Sequence, residues 1–442
     1  MTALTPDAVL TLAPDAGSAK AGKGLATPGK WPVLAHAETV IWGECQGSGK
    51  DPYRTSIDLT GMPPGFKCSC PSRKFPCKHA LALLLLHVTA PTAFSTTTTP
   101  DWVGTWLTGR AARQEKSTQA TAKAADPAAQ AKRRAAREQK IGHGLQELAL
   151  WLRDLARAGL ATAPARPHAY WDTMAARLID AQAPGAARLV RELPALVSGG
   201  DGWSERTLAR LGKLHLLTEA WTRQDALRDD ERAEVRTATG ESLDTAAVLA
   251  APPITDDWAV LGQSRTQEEH VTVRRTWLRA RTHGHDALLL DFGAGPQGLP
   301  PAPTPGTIIH ADLHHAPGTL HLRALLGTTH GSARPLAPAP HAERIEEALS
   351  RHARLLARNP WLDRSPMLLA DVTVHPGTWT ARDGELELPL ARHGTTDWTL
   401  LALTGGHPHV LFGEWNGEAL TPLTVHADGV WHVLTTATEG AA

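Results

Sequence analysis

Cysteine is scarce in this chain, with four in 442 residues. So few thiols cannot build the disulfide scaffold of a small secreted domain, and three of them fall between positions 68 and 77, which points to a reducing compartment and a metal. Long apolar runs are also missing. The longest, Ala80 to Leu86, is far short of the roughly 18 residues of a membrane span. Asp7 and Asp15 interrupt what would have to be the apolar core of an export signal, so a cytoplasmic location with no membrane partner is expected. Tyrosine (2) and phenylalanine (5) are rare while tryptophan (15) is not, and near the clustered cysteines only Phe66, Phe75 and Tyr53 are placed to stack on nucleic-acid bases. No repeat period orders the 38 glycines and 33 prolines, which excludes a fibrous protein.

Excess charge is absent as well, with 45 Lys/Arg against 45 Asp/Glu. The balance is a sum of opposed halves. Residues 1–140 hold 18 basic and 10 acidic side chains, a net of +8, and residues 141–442 hold 27 and 35, a net of −8.

Periodicity divides the chain. Apolar runs at Thr39–Trp42 and Thr55–Leu59, separated by the turn-forming stretch Gly47 to Pro52, read as a hairpin, so residues 1–90 form a β-rich region. Residues 91–140 lose large apolar side chains after Leu107 and gain basic ones, nine Lys/Arg against three Asp/Glu between Arg110 and Lys140. They are expected to form a basic, low-complexity linker, partly helical or disordered. Ile141, Leu145, Leu148, Leu152 and Leu155 recur at helical steps up to Gly159, and the pattern returns at Met174–Ile179 and at Leu208, Leu211, Leu214, Leu217 and Trp221. An all-α domain over 141–250 is expected. After Pro252-Pro253 the period moves towards two. Gly405-Gly406, Asn416-Gly417 and Asp428-Gly429 signal hairpins of an antiparallel β-rich domain over 251–442, interrupted by one helix at about 342–358. The expected class is α+β.

The sharpest motif is Cys68-Ser69-Cys70, a six-residue spacer, then Cys77-Lys78-His79, followed at once by the apolar run Ala80–Leu86. Three thiolates and an imidazole are a closed tetrahedral donor set for one Zn²⁺. Cys77 and His79 cannot share a metal from within one regular helix, because two residues turn it by about 200°. Cys77 is therefore expected just before a helix and His79 in its first turn, with Leu81, Leu84 and Leu85 packed behind. All four positions come from protein, which leaves none for an activated water, so the zinc is structural. Lys67, Arg73, Lys74 and Lys78 surround the motif with no acid between them. They are candidate phosphate contacts, or else counter-charges to a thiolate-rich site.

The pattern C-x-C, spacer, C-x-H resembles the SWIM zinc finger, a ββα unit, here over about 55–88. The flanking Trp42-Gly43-Glu44-Cys45 and Pro52-Tyr53 are similar to bacterial SWIM proteins. So are Ala175-Ala176-Arg177, Asp180 to Gly185, Arg274-Arg275-Thr276-Trp277 and Gly413-Glu414-Trp415. The resemblance implies DNA, RNA or protein binding through the finger. It also implies partners among the MoxR-type AAA ATPases and von Willebrand A-domain proteins encoded beside that group.

Other signals weaken on inspection. Gly47-Ser48-Gly49-Lys50 lacks the first glycine and last Ser/Thr of a P-loop. Asp291-Phe292-Gly293 lacks the remaining kinase motifs, and Cys45 reads as a packed thiol. The run His310 to His315 reads as solvated imidazoles, and Asp383, Glu385 and Glu387 as the polar face of a strand. Most tryptophans read as core, with Trp415 beside a turn as a candidate partner anchor. The sequence therefore favours a non-enzymatic zinc protein that binds nucleic acid, protein or both. A pure protein adaptor is the second reading, and an enzyme with its site in the β-rich domain is a weaker third.

Overall fold

In a computed structural model of the chain, residues 9–10, 12–13, 16–46, 51–60, 64–72, 76–110, 127–268, 271–294, 298–434 and 439–440 are described. They fall into two units, the first spanning residues 1–125 with 270–272 and 293–301, the second the remainder.

In the first unit, strands β1 (Val33–Ala37), β2 (Val40–Cys45), β3 (Tyr53–Asp58), β4 (Gly65–Cys68) and β5 (Ser95–Thr96) form a sheet in the order β4-β3-β2-β1-β5. Helix α1 (Ala16–Leu25) precedes it and α2 (Lys78–Thr89) follows β4. Residues 79–86 of α2 are all buried, as an apolar-all-round sequence requires. Leu83, Leu84 and Leu86 pack with Trp31, Ile41, Cys45 and Ile57 of the sheet region, while α1 runs against α2 closely enough that a Cβ at Gly22 would lie 3.0 Å from the Leu81 Cβ. A third helix, α3 (101–110), buries Val103 and Trp106 against Ala35, Val40 and Trp42. Cys45 is fully buried, as a packed thiol should be.

The second unit opens with α4 (Pro127–Ala158), α5 (His168–Asp180), α6 (Pro184–Arg191), α7 (Leu193–Val197), α8 (Trp203–Thr222), α9 (Asp229–Thr239) and α10 (Thr245–Ala250). One core joins Ile141, Leu145, Leu148, Leu152 and Leu155 to Trp171, Leu178, Val190, Leu214, Leu217 and Trp221. Gly159, at φ 81°, ends α4 as the sequence suggests, but α4 begins at Pro127, inside the stretch expected as linker. Ala, Lys, Arg and Gln there are strong helix formers, so a polar stretch continues the amphipathic helix that follows it. With α3 and β5, helix and strand occupy much of 91–140, and 111–126 lies outside the described residues. Leu208, placed by periodicity on the apolar face of α8, is 61% exposed.

Strands β6 (Ile254–Glu268), β7 (Val271–Ala280), β8 (Asp286–Ala294), β9 (Thr307–His315), β10 (Arg323–Thr329), β11 (Arg334–Pro335) and β18 (Glu439–Gly440) form the second sheet. It departs from the all-antiparallel arrangement expected over 251–442 in its parallel pairings. β9 also pairs with β6, closing the ring β6-β7-β8-β10-β9-β6, and β10 runs parallel to β8. That five-stranded Greek-key order is the order of an OB-type barrel. Trp258, Val260, Leu278, Leu289, Ile309, Leu313 and Ala324 fill its interior on alternate positions.

The third sheet contains β12 (Ser365–His375), β13 (Thr380–Asp383), β14 (Leu386–Pro389), β15 (His409–Trp415), β16 (Leu420–Ala427) and β17 (Val430–Val433) in the order β14-β13-β12-β15-β16-β17. Helices α11 (Ile345–Arg358) and α12 (Thr395–Thr404) accompany it. Asn416-Gly417 and Asp428-Gly429 do turn hairpins, and Asp428 (φ 51°) and Gly429 (φ 78°) carry the positive φ of such turns. Gly405-Gly406 instead terminates α12, with Gly405 left-handed at its C-terminus. Phe412 and Leu423 of this sheet pack with Ala259, Leu261, Trp277 and Ile308 of the barrel.

Candidate metal centre

Local geometry brings Cys68, Cys70, Cys77 and His79 together. Cys68 is the last residue of β4, and Ser69 is bonded twice to Arg54 of β3. Its N–H donates to the Arg54 carbonyl at 2.9 Å, and its hydroxyl accepts from the Arg54 N–H at 2.9 Å. That pair of hydrogen bonds holds the loop just beyond the strand, so Cys70 lies in a bend. Cys77 caps α2 in extended conformation, and His79 stands in the first turn, both at most 4% exposed. Leu81, Leu84 and Leu85 are buried behind them.

The three sulfurs and one ring nitrogen lie within 4.8 Å of one another, and Cys68 Sγ is 3.8 Å from His79 Nδ1. Donors about 2.0–2.3 Å from a tetrahedral zinc are separated by roughly 3.5–3.8 Å, so the set needs only a small contraction to hold the ion. Supporting contacts are in place: the Thr55 hydroxyl donates to Cys68 Sγ at 3.2 Å, and the Tyr53 ring lies 4.7 Å from the His79 ring. Tyr53 and the partly buried Phe66 are thus occupied by packing and not presented for base stacking.

The thiols of this cluster are strongly polarised. A hydrogen bond from Cys68 pulls the Cys77 thiol down to about 4, helped by His79 and the Ala80 N–H at the helix start. That same bond, with burial, pushes the Cys68 thiol up, and burial raises Cys70. A thiolate at the helix N-terminus facing two thiols is a donor set that a divalent cation completes by displacing protons.

Of the four basic candidates, Lys67 and Lys78 are exposed and make no ion pair among the described residues, whereas Arg73 and Lys74 lie outside the described residues. Gly47 to Lys50 lies outside them as well.

Elsewhere the candidate groups serve structure. Asp291 pairs with Arg274 at 2.7 Å. Asp383, Glu385 and Glu387 do not share a strand face, because Gly384 (φ 65°) turns the chain between β13 and β14. Asp383 is buried and accepts from the Ile345 N–H at 2.6 Å at the start of α11, and Glu387 pairs with Arg382. His310 meets Asp257 and Asp312 meets His330, at 3.1 and 3.0 Å, while the His314 and His315 rings bond to backbone carbonyls, so the run is paired and not merely solvated. Among the described residues, the four finger side chains are the one group of three or more with metal-binding spacing. Trp415 is 6% exposed and belongs to the core; Trp398, which the sequence did not single out, is 74% exposed. Its solvent position follows from the register of α12, a helix not signalled before Gly405-Gly406.

The SWIM zinc finger family model matches residues 67–87, and that of the SWIM-associated four-helix bundle domain matches residues 136–239. None of the curated proteins and none of the solved structures compared with the chain matches it. No helix among the described residues is long and apolar enough to cross a membrane. The donor set on β4 and α2, and the helical core from Ile141 to Val235, are therefore those of a SWIM zinc finger followed by a SWIM-associated four-helix bundle domain.

Proposed function

We propose that this protein is a non-enzymatic interaction module in which a structural zinc holds the finger so that its cationic rim binds the phosphate backbone of nucleic acid. The observation that carries the reading is the pairing state of that rim. Lys67 and Lys78 flank the ligands, project into solvent and have no acidic partner among the described residues. The first turns of α4 add support. Lys132 and Arg133 are exposed and make no ion pair among the described residues, while Arg134 pairs with Glu138 at 3.3 Å.

Phosphate contact predicts that binding to a mixed-sequence oligonucleotide falls steeply with salt, and that neutralising Lys67, Arg73, Lys74 and Lys78 together lowers the salt slope by about four charges. Flat salt dependence, or an unchanged gel shift in the quadruple variant at full zinc content, would sink the reading. A protein adaptor is the second reading, favoured by the 74% exposed Trp398 and by the resemblance to proteins encoded with MoxR-type ATPases and von Willebrand A-domain proteins. Partners retained at high salt and after nuclease treatment, and lost in Trp398→Ala, would favour it.

A further inference from the structure

A cavity of about 250 Å³ lies on the outer face of the barrel, within the second unit. Its floor is made by residues that alternate with the barrel interior: Arg275 and Trp277 of β7, Leu288 and Leu290 of β8, and Arg323 of β10. Glu234 and Leu243 from the helical part, and the segment Asn359–Arg364, close over it. In open OB-type barrels the face of the second and third strands takes polymers. Here that face is roofed, which leaves space for a small body only. A dry cavity of 150 Å³ accommodates benzene, so 250 Å³ accommodates a ring or branched chain with one polar group attached.

The charges lining the cavity are answered, with one exception. Arg275 bonds Thr266 at 3.0 Å and Arg364 bonds the buried Glu414 at 3.0 Å. Asp363 pairs with Arg188 at 2.6 Å, and Glu234 accepts from the Thr319 N–H and the Asn359 amide. The Arg323 side chain, half-buried in the cavity wall, has no hydrogen bond or ion pair among the described residues. A guanidinium that opens into a cavity without a counter-charge can take an anion there, and a planar carboxylate matches it in bidentate fashion. At the rim, His321 holds φ 49°, a left-handed conformation that a non-glycine residue keeps only when its surroundings impose it.

We infer that this cavity binds a small monocarboxylate carried on an aromatic or branched aliphatic body, with Arg323 as the anion contact and Trp277, Leu288 and Leu290 as the apolar wall. The carboxylate belongs either to a free acid or to the C-terminus of a peptide. Neither source depends on the finger, so the site stands or falls separately from the proposed nucleic-acid contact.

Isothermal titration of the full chain with phenylacetate, with its neutral isostere phenylacetamide and with a short peptide ending in a free phenylalanine carboxylate tests the inference. Phenylacetate or the peptide should bind at millimolar or lower concentration and at least about tenfold tighter than phenylacetamide. Preference between the two acids assigns the source. Arg323→Met should abolish the preference for the charged form. Equal affinity for acid and amide, no binding of either acid at millimolar concentration, or a preference for the acid retained in Arg323→Met would overturn it.

Discussion

Glu414 links the two sheets of the second unit, and its removal has a calculable cost. Its side chain on β15 is fully buried; Oε1 accepts from Ser264 Oγ at 2.9 Å and Trp277 Nε1 at 2.7 Å, both from barrel strands, and Oε2 accepts from Arg364 at 3.0 Å. Glu414→Ala orphans two neutral donors in residues at most 4% exposed, at about 1–3 kcal/mol each, whereas Arg364, a quarter exposed, rehydrates at little cost. The expected loss is about 2–6 kcal/mol, the sum over the two orphaned donors. Trp277→Phe keeps a six-membered aromatic ring and leaves Glu414 two of its three donors, so about 1–2 kcal/mol is expected from the lost hydrogen bond, with a further cost from the cavity left by the smaller side chain. Urea unfolding followed by circular dichroism measures both, and a double-mutant cycle isolates their coupling, expected at about 1 kcal/mol or more. A Glu414→Ala loss below about 1 kcal/mol, or a strictly additive cycle, refutes the reasoning.

Three further outcomes are expected. Cys68→Ser and His79→Ala should each purify with well under one zinc per chain, and a full metal complement in both by elemental analysis would contradict the site. Asp256 is buried, which by itself raises its pKa, but bonds from His283, from the Thr282 side chain and N–H and from the Asp257 N–H overcome this and hold the carboxyl below its ordinary value. Its stabilising contribution is therefore complete above about pH 4 and is lost as pH falls through the lowered value. Asp256→Asn should lower stability at neutral pH and flatten the acid limb of the pH–stability curve, and an unchanged limb would contradict this. A Cβ at Gly185 in α6 would lie 2.3 Å from the Ala238 carbonyl and 2.7 Å from the Gly240 nitrogen, both backbone atoms that cannot rotate away. Gly185→Ala should cost about 2 kcal/mol or more in thermal or urea unfolding, and a neutral effect would show that α6 and α9 move apart freely.

What the sequence determined by itself is local. The zinc ligands span twelve positions, so C-x-C and C-x-H spacing, joined to an apolar helix, specifies the donor set almost without tertiary information. Helical periodicity from Ile141 to Leu155 is likewise intrinsic to one element, and so are the Asn416-Gly417 and Asp428-Gly429 turns. Tertiary structure decided whatever depends on distant pairing. β6 meets β9 across about fifty residues, closing the barrel, and no periodicity encodes which strand a strand joins. Glu414 and Trp277 occur in two short segments noticed only as family-like text, and their purpose emerges when 137 residues of chain are folded out of the way. The same holds for Asp383, read as a surface carboxylate until a turn and a helix start gave it a buried partner, and for Arg323, whose lack of one is a property of the roofed cavity and not of its neighbours in the chain.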